Sequence, residues 1–218
     1  MDQGRDGAVY ARFRRALENQ RLTAGALVTQ GELCKALNVP VARLRRALVL
    51  LAAYGLVKIE PRIGVRIAYP DVAFIRETYQ FLTMIEVAAI RVVLPQMDRE
   101  WIGQMRGEHN ALLANLSANP GNDIWTGDIM RLDNELHGTI VAALGNRAIS
   151  RTHRLLRDNL GFAQQVHHSS FGTAQYLSSL NEHLGLLDAM ESGDLAATIA
   201  ALEAHFKTST HRIFGGQH

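Results

Sequence analysis

The chain has 218 residues with 23 Lys/Arg against 21 Asp/Glu and an apolar share of 47%. This suits one large folded domain or two smaller ones and excludes a disordered or collagen-like chain. The lone cysteine, Cys34, excludes an intrachain disulfide and a cysteine-based zinc site, and reads as a small buried residue. No apolar run approaches the ~20 residues that span a bilayer, and the opening "MDQGRDGAVYARFRRALENQ" has no signal-peptide core, so a cytoplasmic protein away from any membrane is expected.

The charge is unevenly spread. Residues 1–70 hold 12 Lys/Arg against 5 Asp/Glu, net +7, whereas residues 71–218 hold 11 against 16, net −5. A basic N-terminal third on an acidic remainder points to a polyanion as the partner of the first part. A basic solvated face is the plainer alternative, and charge alone does not separate the two.

Taken in chain order, "AVYARFRRALEN" is an amphipathic helix with Val9, Phe13, Ala16 and Leu17 on one side. After the turn "RLTAG", Thr29 is the expected N-cap of "TQGELCKALN", and Glu32 three residues on completes a capping box. A break at "NVP" precedes the helix "VARLRRALVLLAAYG", closed by Gly55, and "LVKIE", "PRIG" and "VRIAY" read as strand, turn and strand. Two short helices on a tight turn followed by a two-stranded ribbon describe a winged helix-turn-helix, with the second short helix entering the major groove. Arg43, Arg45 and Arg46 lie near its start, where a guanidinium can pair with guanine O6 and N7. Arg62 and Arg66 on the wing are expected to reach phosphate or the minor groove. A solvated helix face is the alternative for these arginines, but their clustering in this order of elements favours double-stranded DNA.

The segment "VYARFRRAL…RLTAGALVTQGELCKALNVPVARLRRALVLLAAYGLVKIEPRIGVRI" resembles the N-terminal domain of GntR-type bacterial transcription regulators, over about residues 8–68. It departs from that pattern at Pro40, where the family has serine, at Val41, where it has a DNA-contacting arginine, and at Arg46, where it has glutamate. Ile63 also replaces the wing's second basic residue. An unusual operator is therefore expected.

"YPD" at 69–71 reads as a linker, and six helices follow over roughly 71–94, 98–116, 122–144, 147–167, 173–191 and 194–213. No strand pattern or repeat interrupts them, so an antiparallel all-α bundle is expected, and "HHSSFG" reads as irregular. The expected organisation is a DNA-binding domain at 1–68, a linker at 69–72 and a helical sensing and dimerisation domain at 73–218. The fold class is thus mainly α, three helices and a two-stranded wing followed by a bundle.

In "IMRLDNELHGTIVAALGN", Ile129, Leu132, Leu136, Ile140 and Leu144 recur at the spacing of one buried face. Asp133 and His137 share that face, and a carboxylate in an apolar interior needs a partner. His183 in "SLNEHLGLLDAM" and His205 in "ATIAALEAHFKTS" also lie on or beside apolar stripes. Three imidazoles and one carboxylate suit a divalent transition metal, and an i, i+4 pair puts two ligands on one helical face. Hydrogen-bonded core histidines and a self-satisfied Asp–His pair explain the same spacing. There is no GxSxG elbow, phosphate-cradling glycine loop or HExxH.

"DNELHGTIVAALGN", "NEHLGLLDAMESGD" and "AALEAHF" resemble the FCD effector domain of the FadR subgroup of those regulators, over most of 71–214. The resemblance implies a metal held by Asp133, His137, His183 and His205, zinc first with nickel or manganese as alternatives, and a small carboxylate effector completing its coordination. It also implies a homodimer, a palindromic operator and repression relieved by effector. A regulator with a purely structural metal is the alternative, and a metal-dependent hydrolase a more remote one. Where the family often carries an arginine one turn before the glutamate of the domain's first helix, this chain has Leu82 before Glu86. The effector pocket then lacks a cationic clamp and should prefer a monocarboxylate, unless an arginine of "RTHRLLRDN", such as Arg157, supplies one. His109, His153, His167, His168, His211 and His218 have no matched role.

Overall fold

The computed structural model describes residues 3–119, 126–167 and 172–214. Two compact units emerge, Met1–Asp71 with Gly161–Val166, and Val72–Leu160 with His167–His218.

The first unit packs α1 (Gln3–Glu18), α2 (Gln30–Leu37) and α3 (Val41–Ala53) over a small antiparallel sheet. The capping box at the start of α2 forms as expected, with Thr29 Oγ1 accepting from the Glu32 N–H and the Thr29 N–H donating to Glu32. Asn38, in the left-handed region at φ 50, ends α2, and Val39 and Pro40 turn the chain into α3. Past Tyr54, Gly55 at φ 70 reverses the chain into β2 (Val57–Glu60), which pairs with β3 (Gly64–Ile67).

A third strand, β1 (Leu27–Val28), lies on the other edge of β3. Gly64 permits it: a Cβ there would stand 2.5 Å from the Val28 carbonyl oxygen. The core gathers Phe13, Leu33, Leu44, Leu51, Leu56 and Ile67, joined by Phe162 from the 161–166 segment.

The second unit comprises α4 (Val72–Val93), α5 (Arg99–Ala118), α6 (Thr126–Ala142), α7 from Arg147, α8 (Thr173–Ser192) and α9 (Leu195–Phe214). The six helices match the sequence reading closely, except that the start read at 122 and most of "HHSSFG" lie outside the described residues. Pro95 closes α4 in a short 3-10 turn, and Asp98 caps α5 by accepting from the Glu100 N–H.

Five of the helices form a closed ring, α5 against α8, α8 against α9, α9 against α4, α4 against α6, and α6 back against α5. By length and composition α4 is apolar enough to cross a membrane. Its apolarity instead serves two faces: Ile75, Tyr79, Leu82, Ala89 and Val93 are buried within the unit, while Phe81, Met84 and Val92 stay exposed.

Candidate metal centre and nucleic-acid interface

On α3, Leu44, Ala47, Leu48 and Leu51 point into the core, which leaves Arg43, Arg45 and Arg46 exposed. Arg45 Nε lies 3.5 Å from Gln30 Oε1 at the start of α2. Arg62 occupies the wing tip at φ 66, after Pro61, in a turn closed by the Ile63 N–H donating to the Glu60 carbonyl at 3.1 Å. This is the type II arrangement, whose third position favours glycine, so an arginine there carries local strain. Arg66 is engaged within the sheet: its Nε donates to Glu60 at 2.7 Å, and the bond holds the Glu60 carboxyl below its usual range. It thus offers less free charge to a polyanion than Arg62.

Every helix of the five-membered ring sends a buried polar side chain inward, Glu86 from α4, His109 from α5, His137 from α6, His183 from α8 and His205 from α9. Asp133, one turn before His137, is half-buried. Asp133, His137, His183 and His205 each offer a ligand atom, and these atoms all lie within 4.8 Å of one another. Asp133 Oδ1 stands 3.4 Å from His183 Nε2 and 3.8 Å from His137 Nε2. The Nε2 atoms of His183 and His205 are 3.3 Å apart, and His137 Nε2 is buried with no hydrogen-bond partner.

A second layer holds these imidazoles by their other nitrogens. His137 Nδ1 donates to Glu86 at 2.6 Å, His205 Nδ1 donates to Glu182 at 2.9 Å, and His183 Nδ1 lies 3.1 Å from His109 Nε2. Burial alone would raise the Glu86 carboxyl, but the charges and hydrogen bonds of His137 and His153 outweigh it and hold Glu86 at about 2. Glu182 is likewise held at about 2, against its burial, by His205 and Arg212. Burial lowers His205 to about 4 and His183 well below the ordinary range, so both rings are neutral near pH 7. Imidazoles held by their Nδ1 atoms, with Nε2 atoms left to face one carboxylate oxygen, fit a divalent transition metal.

Leu82 is fully buried in the unit's interior. Arg157 on α7 forms an ion pair with Asp133 through Nη2, and its Nε donates to Asn134 at 3.3 Å. His109 and His153 are the residues that sequence reasoning missed. His153 Nε2 donates to Glu86 at 2.8 Å, and His109 touches His183. A signal existed for His109, which shares the period of Ile102, Met105, Leu112 and Leu116 on the buried face of α5. His168 and His218 lie outside the described residues, and His211 is exposed.

A winged helix-turn-helix with arginines at its recognition helix, joined to a helical unit with an inward ligand cluster, defines a DNA-binding regulator with a sensing domain. Residues 6–67 match the gntR family of bacterial regulatory proteins, and residues 77–208 match the FCD domain. The chain belongs to this family of transcription regulators and is not an enzyme. It is 22% identical over 200 residues, 91% of this chain and 80% of its relative, to an uncharacterized HTH-type transcriptional regulator in an unstable DNA locus of Streptomyces ambofaciens. Its fold is similar to the crystal structure of a putative transcriptional regulator GntR from Rhodococcus sp. RHA1, with TM-score 0.70, 21% identity, and coverage of 98% of this chain and 99% of that one. The metal-free FCD domain of TM0439, a putative transcriptional regulator, is similar at TM-score 0.56 and 23% identity, over 66% of this chain and 94% of that one.

Proposed function

We propose that this regulator holds one divalent metal, zinc first with nickel or manganese as alternatives, on Asp133, His137, His183 and His205, and reads a small carboxylate effector through it. The observation that carries this is the convergence of one ligand atom from each of Asp133, His137, His183 and His205 within 4.8 Å, with His137 Nε2 buried and without a hydrogen-bond partner. A bound metal would supply positive charge to match Asp133 and an open coordination position for a carboxylate. Glu86 and Glu182 would keep the imidazoles oriented, and Arg157 would steady Asp133. The effector would act as a repressor's inducer, favouring one conformation of the sensor over another and so lowering operator affinity. Arg43, Arg45, Arg46 and Arg62 would make the DNA contacts, Arg66 a weaker one, and the regulator would work in the cytoplasm.

A homodimer on a palindromic operator completes this reading. Its support is the exposed stripe of α4, where Phe81, Met84, Ala88 and Val92 lie unburied. Glu77, Met84 and Arg91 follow one another at two-turn intervals on that helix. Two antiparallel copies of α4 crossing at Met84 would set Glu77 of each opposite Arg91 of the other, so the stripe complements itself in charge. Met84→Arg should give a monomer in sedimentation analysis, and an unchanged dimer would remove α4 from the interface.

The testing experiment combines elemental analysis with thermal-shift screening of carboxylates, with and without chelator. Expected are about one metal atom per chain, as a single site requires, and a carboxylate-dependent shift that chelation abolishes. Protein never exposed to chelator yet metal-free, with no anomalous scattering among the four residues, would overturn the reading. A purely structural metal is the second reading, favoured by the burial of Leu82 and by the engagement of Asp133 with Arg157. It predicts metal without any carboxylate response.

A further inference from the structure

We propose that His109 is a positioning residue that fixes the tautomer of His183 and thereby keeps His183 Nε2 free to bind metal. The inference rests on the metal reading of the site and concerns a residue outside the ligand set. His109 Nδ1 lies 2.8 Å from the Met105 carbonyl oxygen one turn back on α5. A carbonyl only accepts, so Nδ1 carries the proton. Neither ring nitrogen of buried His109 has a carboxylate within hydrogen-bond distance, one facing the Met105 carbonyl and the other His183, so the ring carries that single proton and its Nε2 is an acceptor. His183 Nδ1, 3.1 Å away, must therefore donate, the two ring planes standing 76° apart. The proton of His183 is thus spent on His109, and its Nε2 keeps a lone pair.

The competing arrangement is specific. Asp133 Oδ1 stands 3.4 Å from His183 Nε2, and a carboxylate attracts a proton more strongly than an imidazole does. Without His109, the metal-free protein would place the His183 proton on Nε2, facing Asp133, and mask the ligand atom. Asp133 therefore has a counterweight on the far side of the ring. The chemistry of that counterweight matters as well. His137 and His205 are oriented by the carboxylates Glu86 and Glu182. A third carboxylate would add another buried negative charge, whereas His109 orients His183 without one.

The test compares wild type with His109→Gln, which retains an acceptor and a donor, and His109→Leu, which retains neither. Nitrogen-15 spectra of the chelator-stripped proteins report the His183 tautomer, and competition with a chromophoric chelator reports zinc affinity. Wild type and His109→Gln should show the Nδ1–H tautomer and similar affinities. His109→Leu should move the proton to Nε2 and weaken zinc binding by about 10–100-fold, the range for outer-sphere partners of metal ligands. An Nε2–H tautomer in wild type overturns the inference, as does a leucine variant with unchanged tautomer and affinity. Should the leucine variant fail to fold, the wild-type tautomer decides. Wild type with the Nδ1–H tautomer but no zinc binding would sink the metal reading while leaving the role of His109 intact.

Discussion

In the DNA-binding unit, Arg43, Arg45 and Arg46 stand exposed on a helix whose other face makes the core. In the FCD unit, Glu86, His137 and His183 are almost wholly buried, each within hydrogen-bond reach of a named partner. The difference is one of dielectric. Exposed charges are screened and nearly independent, so each would act on a polyanion by itself and contributes little to stability. Buried ones are mutually dependent, so removing one leaves its partner's desolvation uncompensated. The same substitution chemistry should therefore read out as stability in one unit and as affinity in the other.

The sharpest way to break that contrast is His137→Leu, which strands part of Glu86 and removes a proposed ligand. It should destabilise the FCD unit by roughly 3–5 kcal/mol, the usual cost of removing one partner of a buried pair, and lower metal content with it. Calorimetry beside elemental analysis checks both. Acid should act in the same direction on metal-free protein. Glu86 and Glu182 are held at about 2 against an ordinary 4.5, so the unfolded chain takes up protons first as pH falls. Their stabilisation is complete above pH 4.5 and declines as pH drops toward 2, and unfolding followed across that window should show it. Stability that stays flat there would mean the carboxylates are not paired as described.

Smaller effects follow at the proposed pocket and then at the DNA face. Titrated with matched acids, the metal-loaded protein should prefer mono- over dicarboxylates. Leu82→Arg should improve dicarboxylate binding by about 1.5–3 kcal/mol if a charged hydrogen bond forms. A wild-type preference for dicarboxylates would point to Arg157 as the clamp. Arg45→Ala should relax base preference by about 1–3 kcal/mol at one position, and equal losses on specific and random DNA would remove Arg45 from base reading. Arg62→Gly should relieve the positive-φ strain and stabilise the wing by about 1 kcal/mol, while weakening all DNA alike and lowering the log–log salt slope by about 0.9. Unchanged salt dependence would take Arg62 off the phosphate backbone.

Much of this organisation was legible because it is local. The capping box of Thr29 and Glu32, the reversal at Gly55 and the 129-132-136-140 stripe of α6 each need only a few neighbouring residues. The strand β1 was not legible: two residues show no alternation, and their pairing depends on Gly64 lacking a side chain far along the chain. The ion pair of Arg66 with Glu60 requires knowing that the wing folds back on itself. His109 and His153 escaped for a different reason. A buried histidine that accepts from a ligand, as His109 does, or donates to a ligand's partner, as His153 does, has the same periodicity as one that merely fills space, and only the positions of α4, α5, α7 and α8 distinguish them.

The ring of five helices also orders events in time. Glu86 lies on α4, and His205 lies on α9, 119 residues later. Chain emerges from the ribosome at about 5–20 residues per second, so a nascent chain exposes the α6 pair of Asp133 and His137 seconds before His205 exists. Until α9 closes against α4, the cluster is an incomplete set of competing donors with no cage around them. If the proposed metal binds there, its capture is a late, long-range step that waits for synthesis of α9.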